Sequence, residues 1–206
     1  MINVKYESVY REILYRIIDK GYTELFTQKE LSKVCSLSIS TVYHAIKPLS
    51  TMNLIQKHPM GFKVIDPWKL LLYWSSIRNL EKETVLSCRV EMPVEEIESC
   101  LPNKTVPTAY TGFKLRYGEP PADYSEVVVY GNPETLKRRY KCIRETIRPN
   151  LIVLKPDAHI NKFKVAPICQ IFADLWNLNT WYANEHLKRL EEIINGILAR
   201  LGYREE

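Results

Sequence analysis

The stretch from Thr27 to Ile65 constrains the fold more tightly than any other part of the chain, because start signals, turns and two hydrophobic periods follow one another without a gap. Thr27-Gln28-Lys29-Glu30 has the spacing of a capping box, in which each outer side chain satisfies the other's backbone donor, and it leads into Leu31, Val34 and Cys35. A short helix is predicted there. Ser36-Leu37-Ser38 breaks the pattern, and Ile39, Val42, Ile46 and Leu49 then recur at helical spacing behind a Ser38 cap, which predicts a second helix burying those four side chains. Pro48 removes a backbone donor inside that helix and predicts a bend or an early end. Leu54 to His58 and Phe62 to Ile65 alternate with a period of two around Pro59-Met60-Gly61, the pattern of a β-hairpin with Lys57, His58 and Lys63 exposed. Upstream, Val9, Ile13 and Ile17 with Tyr10, Leu14 and Ile18 mark an amphipathic helix that Gly21 stops.

Two helices joined by about three residues form a helix-turn-helix arrangement. At about 100° per residue, Ser40, Thr41, His44, Pro48 and Thr51 lie opposite the apolar positions, with Lys47 on the flank and no acidic residue among them. Hydroxyls, an imidazole and a lysine can lie against phosphates and base edges, where carboxylates would be repelled. The basic hairpin behind such a pair has the place of a wing. Ser38 to Leu49, with Asn53-Leu54-Ile55 close behind, resembles the winged-helix family of prokaryotic transcription regulators. That resemblance implies duplex DNA as partner, and the residues expected to touch it are Gln28, Ser38, Ser40, Thr41, Tyr43, His44, Lys47, Lys57, His58 and Lys63. The rival expectation is a solvated face, or a winged helix that docks protein.

Composition limits the remaining choices. The net charge of +5 is divided unevenly: residues 1–68 hold nine Lys and Arg against six Asp and Glu, and the other 138 residues hold 20 against 18. The smaller part carries the larger excess. Five cysteines with no Cys-x-x-Cys pair argue against a disulfide framework or a closed zinc site. No apolar run reaches the length of a membrane span and no secretory leader is visible, so a cytoplasmic protein is expected. Seven glycines never form a phosphate-cradling loop.

The second half alternates strand-like and helical segments. Strands are expected at Glu83 to Val90, Glu126 to Tyr130, Leu151 to Leu154 and Phe163 to Val165, and helices at Val94 to Leu101, Pro107 to Tyr117 and Pro133 to Ile143. The continuous apolar runs Val127 to Tyr130 and Leu151 to Leu154 suit central strands covered on both faces. Three phrases, Thr108-Ala-Tyr-Thr-Gly112 with Tyr117, Val127-Val-Val-Tyr130, and Val165-Ala-Pro-Ile-Cys-Gln-Ile-Phe-Ala-Asp174-Leu followed by Ala183-Asn-Glu185, resemble AbiEi-type antitoxins and their stand-alone relatives. The resemblance implies autorepression by the winged helix and a C-terminal α/β domain acting against a nucleotidyltransferase toxin.

Each feature of this half also has a plainer reading. Thr111-Gly112 permits close packing, and Asp174 caps or pairs within its helix. The basic run Lys137, Arg138, Arg139, Lys141, Arg144 and Arg148, offset by Glu145, is a solvated face or a nucleic-acid or toxin contact. Leu187, Leu190, Ile194, Ile197 and Leu201 form a seam that packs in the core or makes a homodimer. Pro156-Asp157 followed by Lys164 faintly resembles a metal-dependent nuclease, but Lys162 stands where a second carboxylate is needed, so Asp157 is expected to make a turn. The whole reading is an α+β protein with no catalysis and no cofactor. Residues 1–66 form a winged helix-turn-helix domain, 67–82 a connector helix opened by Asp66-Pro67, and 83–206 an α/β layered domain.

Overall fold

Residues 6–143 and 148–203 are described by a computed structural model, and their elements are α+β in class. The chain groups into two units: one takes everything up to Arg78, Pro167–Cys169 and the chain from Lys188, and the other takes Asn79–Ala166 and Gln170–Leu187. This differs from the division expected at 66 and 82. Residues 67–78 group with the first unit, as does the end of the chain.

In the first unit α1 (Glu7–Leu14) buries Val9, Tyr10, Ile13 and Leu14, and a π-helical turn, Tyr15–Asp19, continues it to Gly21 at φ +67°. An ordinary helix was expected throughout. α2 (Gln28–Cys35) and α3 (Ile39–Thr51) follow, and the Tyr10 hydroxyl donates to the Ala45 carbonyl at 2.9 Å, which pins α3 to α1. Ser36 at φ +55° closes α2, with the Leu37 N–H reaching back to the Ser32 carbonyl at 2.9 Å. Only half of the expected capping box forms. The Glu30 N–H donates to Thr27 Oγ1 at 3.1 Å, whereas the Glu30 carboxylate takes Arg16 at 2.5 Å instead of a backbone donor.

Two further expectations for α3 change. Pro48 neither ends the helix nor shortens it below Thr51, since the bond it lacks is the one to the carbonyl of exposed His44. Ile39 is 52% exposed instead of buried, and the buried set is Val42, Ala45, Ile46 and Leu49. In the first turn, Ile39 has no preceding helix to cover it.

The hairpin β1 (Ile55–His58) and β2 (Gly61–Val64) pairs Ile55 with Val64, Gln56 with Lys63, Lys57 with Phe62 and His58 with Gly61. Phe26 adds a rung, exchanging both backbone bonds with Phe62 at 2.8 and 2.9 Å. Gly61 is what permits this approach, since a Cβ there would lie 2.3 Å from the Phe26 carbonyl oxygen. Asp66 caps α4 (Pro67–Ile77) through the Lys69 N–H at 2.9 Å, and α4 buries Trp68, Leu70, Leu71 and Trp74.

In the second unit, α5 (Leu80–Glu83) leads into a five-stranded mixed sheet. It is built from β3 (Thr84–Val90), β4 (Val106–Thr108), β5 (Val127–Tyr130), β6 (Cys142–Ile143) and β7 (Leu151–Leu154) in the order β4-β5-β7-β3-β6, with β5 and β7 parallel. β5 and β7 are interior strands, as their unbroken apolar runs predict. α6 (Val94–Ser99) and α8 (Pro133–Arg139) cover one face, where Ile97, Leu136 and Tyr140 meet Leu86, Val90, Val127, Val129, Leu151 and Val153.

The expected helix from Pro107 instead begins as β4, and α7 (Ala109–Tyr117) starts two residues later. An edge strand tolerates proline, and the Pro107 carbonyl accepts the Ala166 N–H at 2.9 Å. The helix expected to reach Ile143 stops at Arg139, after which Cys142–Ile143 pairs with β3. Phe163–Val165 is not a strand: the Phe163 N–H closes a 3₁₀ turn on the Ile160 carbonyl at 3.1 Å. A disulfide joins Cys88 to Cys142, a pairing 54 residues apart that no spacing rule flags, while Cys35, Cys100 and Cys169 are free.

α9 (Ile168–Trp176) and α10 (Trp181–Arg200) complete the chain, each shared between the two units. On α10 the deepest positions are Leu190, Ile194 and Leu198, at four-residue spacing; Leu187, Ile197 and Leu201 are only half-buried. Among the described residues no helix is long and apolar enough to cross a membrane.

Candidate nucleic-acid interface

From Leu31 to Ile65 the chain contains no Asp or Glu, and Glu30 and Asp66 bracket that interval. Within it α3 presents Ser40, Tyr43, His44, Lys47 and Thr51 as an exposed stripe. Tyr43 is 48% exposed and meets the His44 ring edge-on at 5.5 Å between centroids. Ser38 and Thr41 serve the helix first. Ser38 Oγ accepts the Thr41 N–H at 3.1 Å and lies 2.8 Å from Thr41 Oγ1, so the hydroxyl pair is occupied in capping.

The hairpin side chains separate by register. Directly opposed residues share a face, so Lys57 stands on the side of buried Phe62, while Gln56, His58 and Lys63 project from the other. On the Lys57 side a groove of about 360 Å³ runs between the hairpin and the helices, lined by Gln28, Ile46, Lys57, His58, Met60 and Phe62. The structure thus brings Gln28 and Lys57 beside α3, has His58 border the groove only at its hairpin-turn end, and leaves Lys63 on the far face of the hairpin. Sequence reasoning missed the exposed apolar side chains here: Ile39, Met52 at 40% exposure, and Met60 at 79% on the hairpin turn. An apolar residue in a two-residue turn was the available signal for Met60.

In the second unit Thr108, Tyr130 and Gln170, from three separate segments, converge on one buried carboxylate. Asp174 accepts from the Thr108 hydroxyl at 2.5 Å, the Tyr130 hydroxyl at 2.9 Å and Gln170 Nε2 at 2.9 Å, and Thr108, Tyr130, Gln170 and Asp174 are all at most 1% exposed. Asp174 therefore pairs within its own helix and also ties it to β4 and β5. Gly112 has the packing role expected of it, since a Cβ there would meet Ile171 at 3.1 Å and the Pro107 carbonyl at 3.2 Å. Asp157 makes a turn, with Oδ1 accepting the His159 and Ile160 N–H groups at 2.8 and 2.7 Å. Among the described residues no group of three His, Cys, Asp or Glu side chains could hold a metal ion.

Of the basic run, Lys137 pairs with Glu134 at 2.6 Å and Arg139 donates to the Cys100 carbonyl at 3.1 Å. Arg138 and Lys141 are exposed, and Arg144 and Glu145 lie outside the described residues. Burial of His186 among Tyr110, Phe113 and Tyr124 lowers its pKa below the ordinary histidine value, and its ring Nδ1 sits 2.7 Å from the Tyr182 carbonyl. Comparison of the chain with protein-family models, curated proteins and solved structures finds no match.

Proposed function

We propose that the first unit is a winged helix-turn-helix module that binds duplex DNA and regulates transcription, with α3 in the major groove and the hairpin as its wing. The observation that carries this reading is the exposed α3 stripe in a segment free of carboxylates, between Glu30 and Asp66. Lys47 and His44 present cation and imidazole, Ser40 and Thr51 present hydroxyls, and Ile39 and Tyr43 offer apolar surface suited to a thymine methyl. Binding upstream of its own gene would repress by occluding the promoter, and a two-fold dimer would place two such helices about one helical turn apart. The AbiEi resemblance extends the proposal to an antitoxin whose functional counterpart is a nucleotidyltransferase toxin.

A second reading, docking of a protein on the same face, is favoured by the exposure of Ile39, Tyr43 and Met60. Fluorescence anisotropy with random-sequence duplex separates the two. DNA binding predicts measurable, salt-sensitive association that His44→Ala and Lys47→Ala weaken. Absence of any duplex affinity at low salt would overturn the proposal.

A further inference from the structure

β5 and β7 run parallel and side by side, and the chain leaves them toward opposite faces of the sheet. After β5 it turns into α8, whose Leu136 packs with Val127 and Val129 on one face. After β7 it continues to α9, whose Asp174 takes the Tyr130 hydroxyl on the other. Adjacent parallel strands that part in this way leave a crevice beyond their carboxyl ends, which is where open α/β sheets hold their ligands. We propose that this crevice binds a small phosphorylated sugar, with Lys104 on the phosphate and Asn103, Asn132 and Asn161 on the hydroxyls.

Three short segments build the site, all within the second unit. The chain entering β4 makes a turn, closed by the Thr105 N–H on the Pro102 carbonyl at 2.9 Å, which sets Asn103 and Lys104 at an exposed tip. Because β4 is antiparallel to β5, this turn lies at the end where β5 finishes. Gly131 and Asn132 follow β5 directly, and Thr105 stands against Gly131, where a Cβ would lie 3.4 Å from Thr105 Cγ2. Beyond β7, Pro156 and the 3₁₀ turn Ile160–Lys162 bring Asn161 to the same cavity. The enclosed volume is about 550 Å³, within the range of small-molecule sites.

The lining is rich in uncommitted donors. Among the described residues it holds one cation, Lys104, and no carboxylate, and the side chains of Lys104, Asn103 and Asn161 make no hydrogen bond or ion pair. Thr105 is 9% exposed, yet its hydroxyl also has no partner among the described residues. Hydroxyls this deep are ordinarily satisfied, so a bound molecule is the natural partner. Asn132 Oδ1 accepts the Glu134 and Thr135 N–H groups at 2.9 and 3.2 Å, which leaves its amide nitrogen to donate. An ammonium with no carboxylate opposing it favours an anion, and carboxamides, which both donate and accept, suit sugar hydroxyls. A bare phosphate would engage the lysine and leave the amides unused, and a neutral sugar would leave the ammonium unmatched. A phosphorylated sugar satisfies both.

Calorimetric titration of the full chain with ribose-5-phosphate and glucose-6-phosphate, and with glucose and inorganic phosphate as the separated halves, tests the site. At least one sugar phosphate should bind saturably, with glucose and phosphate weaker by about 10-fold or more. Lys104→Ala and Asn161→Ala remove exposed side chains that hold nothing else, so the unfolding midpoint should stay in place while each weakens sugar-phosphate binding by about 10-fold. Lys104→Arg keeps the charge and should retain most of the affinity. No saturable binding of either sugar phosphate up to about 5 mM, inorganic phosphate binding as tightly as both of them, or affinity indifferent to both alanine substitutions would overturn the proposal.

Discussion

Removing lysines one at a time from the α3–hairpin surface should change the salt dependence of duplex binding unequally, and the hairpin register says how. With Lys47, Lys57 and Lys63 each neutralising one phosphate, log K would fall against log salt with a slope of about −2.7, or about 40-fold between 50 and 200 mM. Each lysine lost from a phosphate contact reduces the slope by about 0.9, leaving about a 12-fold fall over the same interval. The three lysines are not equivalent. Lys57 shares the Phe62 face and lines the groove beside α3, whereas the adjacent Gln56 pairs with Lys63 on the opposite face. Lys57→Ala should therefore lower the slope by nearly the full increment and Lys63→Ala by clearly less, with Lys47→Ala comparable to Lys57→Ala. Anisotropy titrations of the four proteins on one random-sequence duplex over a salt series measure this directly. Equal slopes for all four, or a larger effect from Lys63 than from Lys57, would refute the placement of the duplex on the α3 side of the hairpin.

Three other outcomes follow from buried groups. Asp174→Ala strands three donors in the interior and should cost about 3–5 kcal/mol in urea unfolding, whereas Asp174→Asn keeps one acceptor oxygen and should cost about 1–2; equal losses would contradict the hydrogen-bond account. Because burial holds the His186 pKa below its unfolded value, the unfolded state takes up more protons, so stability is present above about pH 6.5 and is lost as pH falls below it. Thermal melts at descending pH should show that loss, and it should shrink in His186→Phe. Gly61→Ala would drive a Cβ into the Phe26 carbonyl and should destabilise the first unit by about 1–3 kcal/mol, with weaker duplex binding read in the same titrations.

How much of this was legible in the sequence depends on whether the deciding interaction was local. Caps at Ser38 and Asp66, the Gly21 stop and the hairpin turn are set by neighbours a few residues away, and they stand where the pattern puts them. Pairings across long separations were not readable. Glu30 satisfies the capping rule as well as any glutamate, yet Arg16 from the preceding segment captures its carboxylate. Cys142–Ile143 looks like the continuation of a helix until β3 offers it a partner, and Pro107 reads as a first-turn proline until β5 offers it an edge. Ile39 has the right spacing to be buried but sits where the helix has no turn above it to share the cover.

The convergence on Asp174 bears on where in the second unit a partner could be recognised. Thr108, Tyr130 and Asp174 come from three phrases far apart in the chain, and they are bonded to one another and closed to solvent. A residue with no exposed surface cannot recognise a partner while the unit stays folded. What these phrases specify is the joint where β4 turns into α7 and α9 is fastened to β5, a joint that holds Ala109 at φ +48°, a backbone conformation disfavoured for any residue with a Cβ. These buried residues therefore act as framework, and partner specificity must reside in side chains that reach the surface. Grafting the buried phrases onto another scaffold should transfer stability and no binding. Replacing exposed Arg138 and Lys141 should alter binding and leave the unfolding midpoint in place.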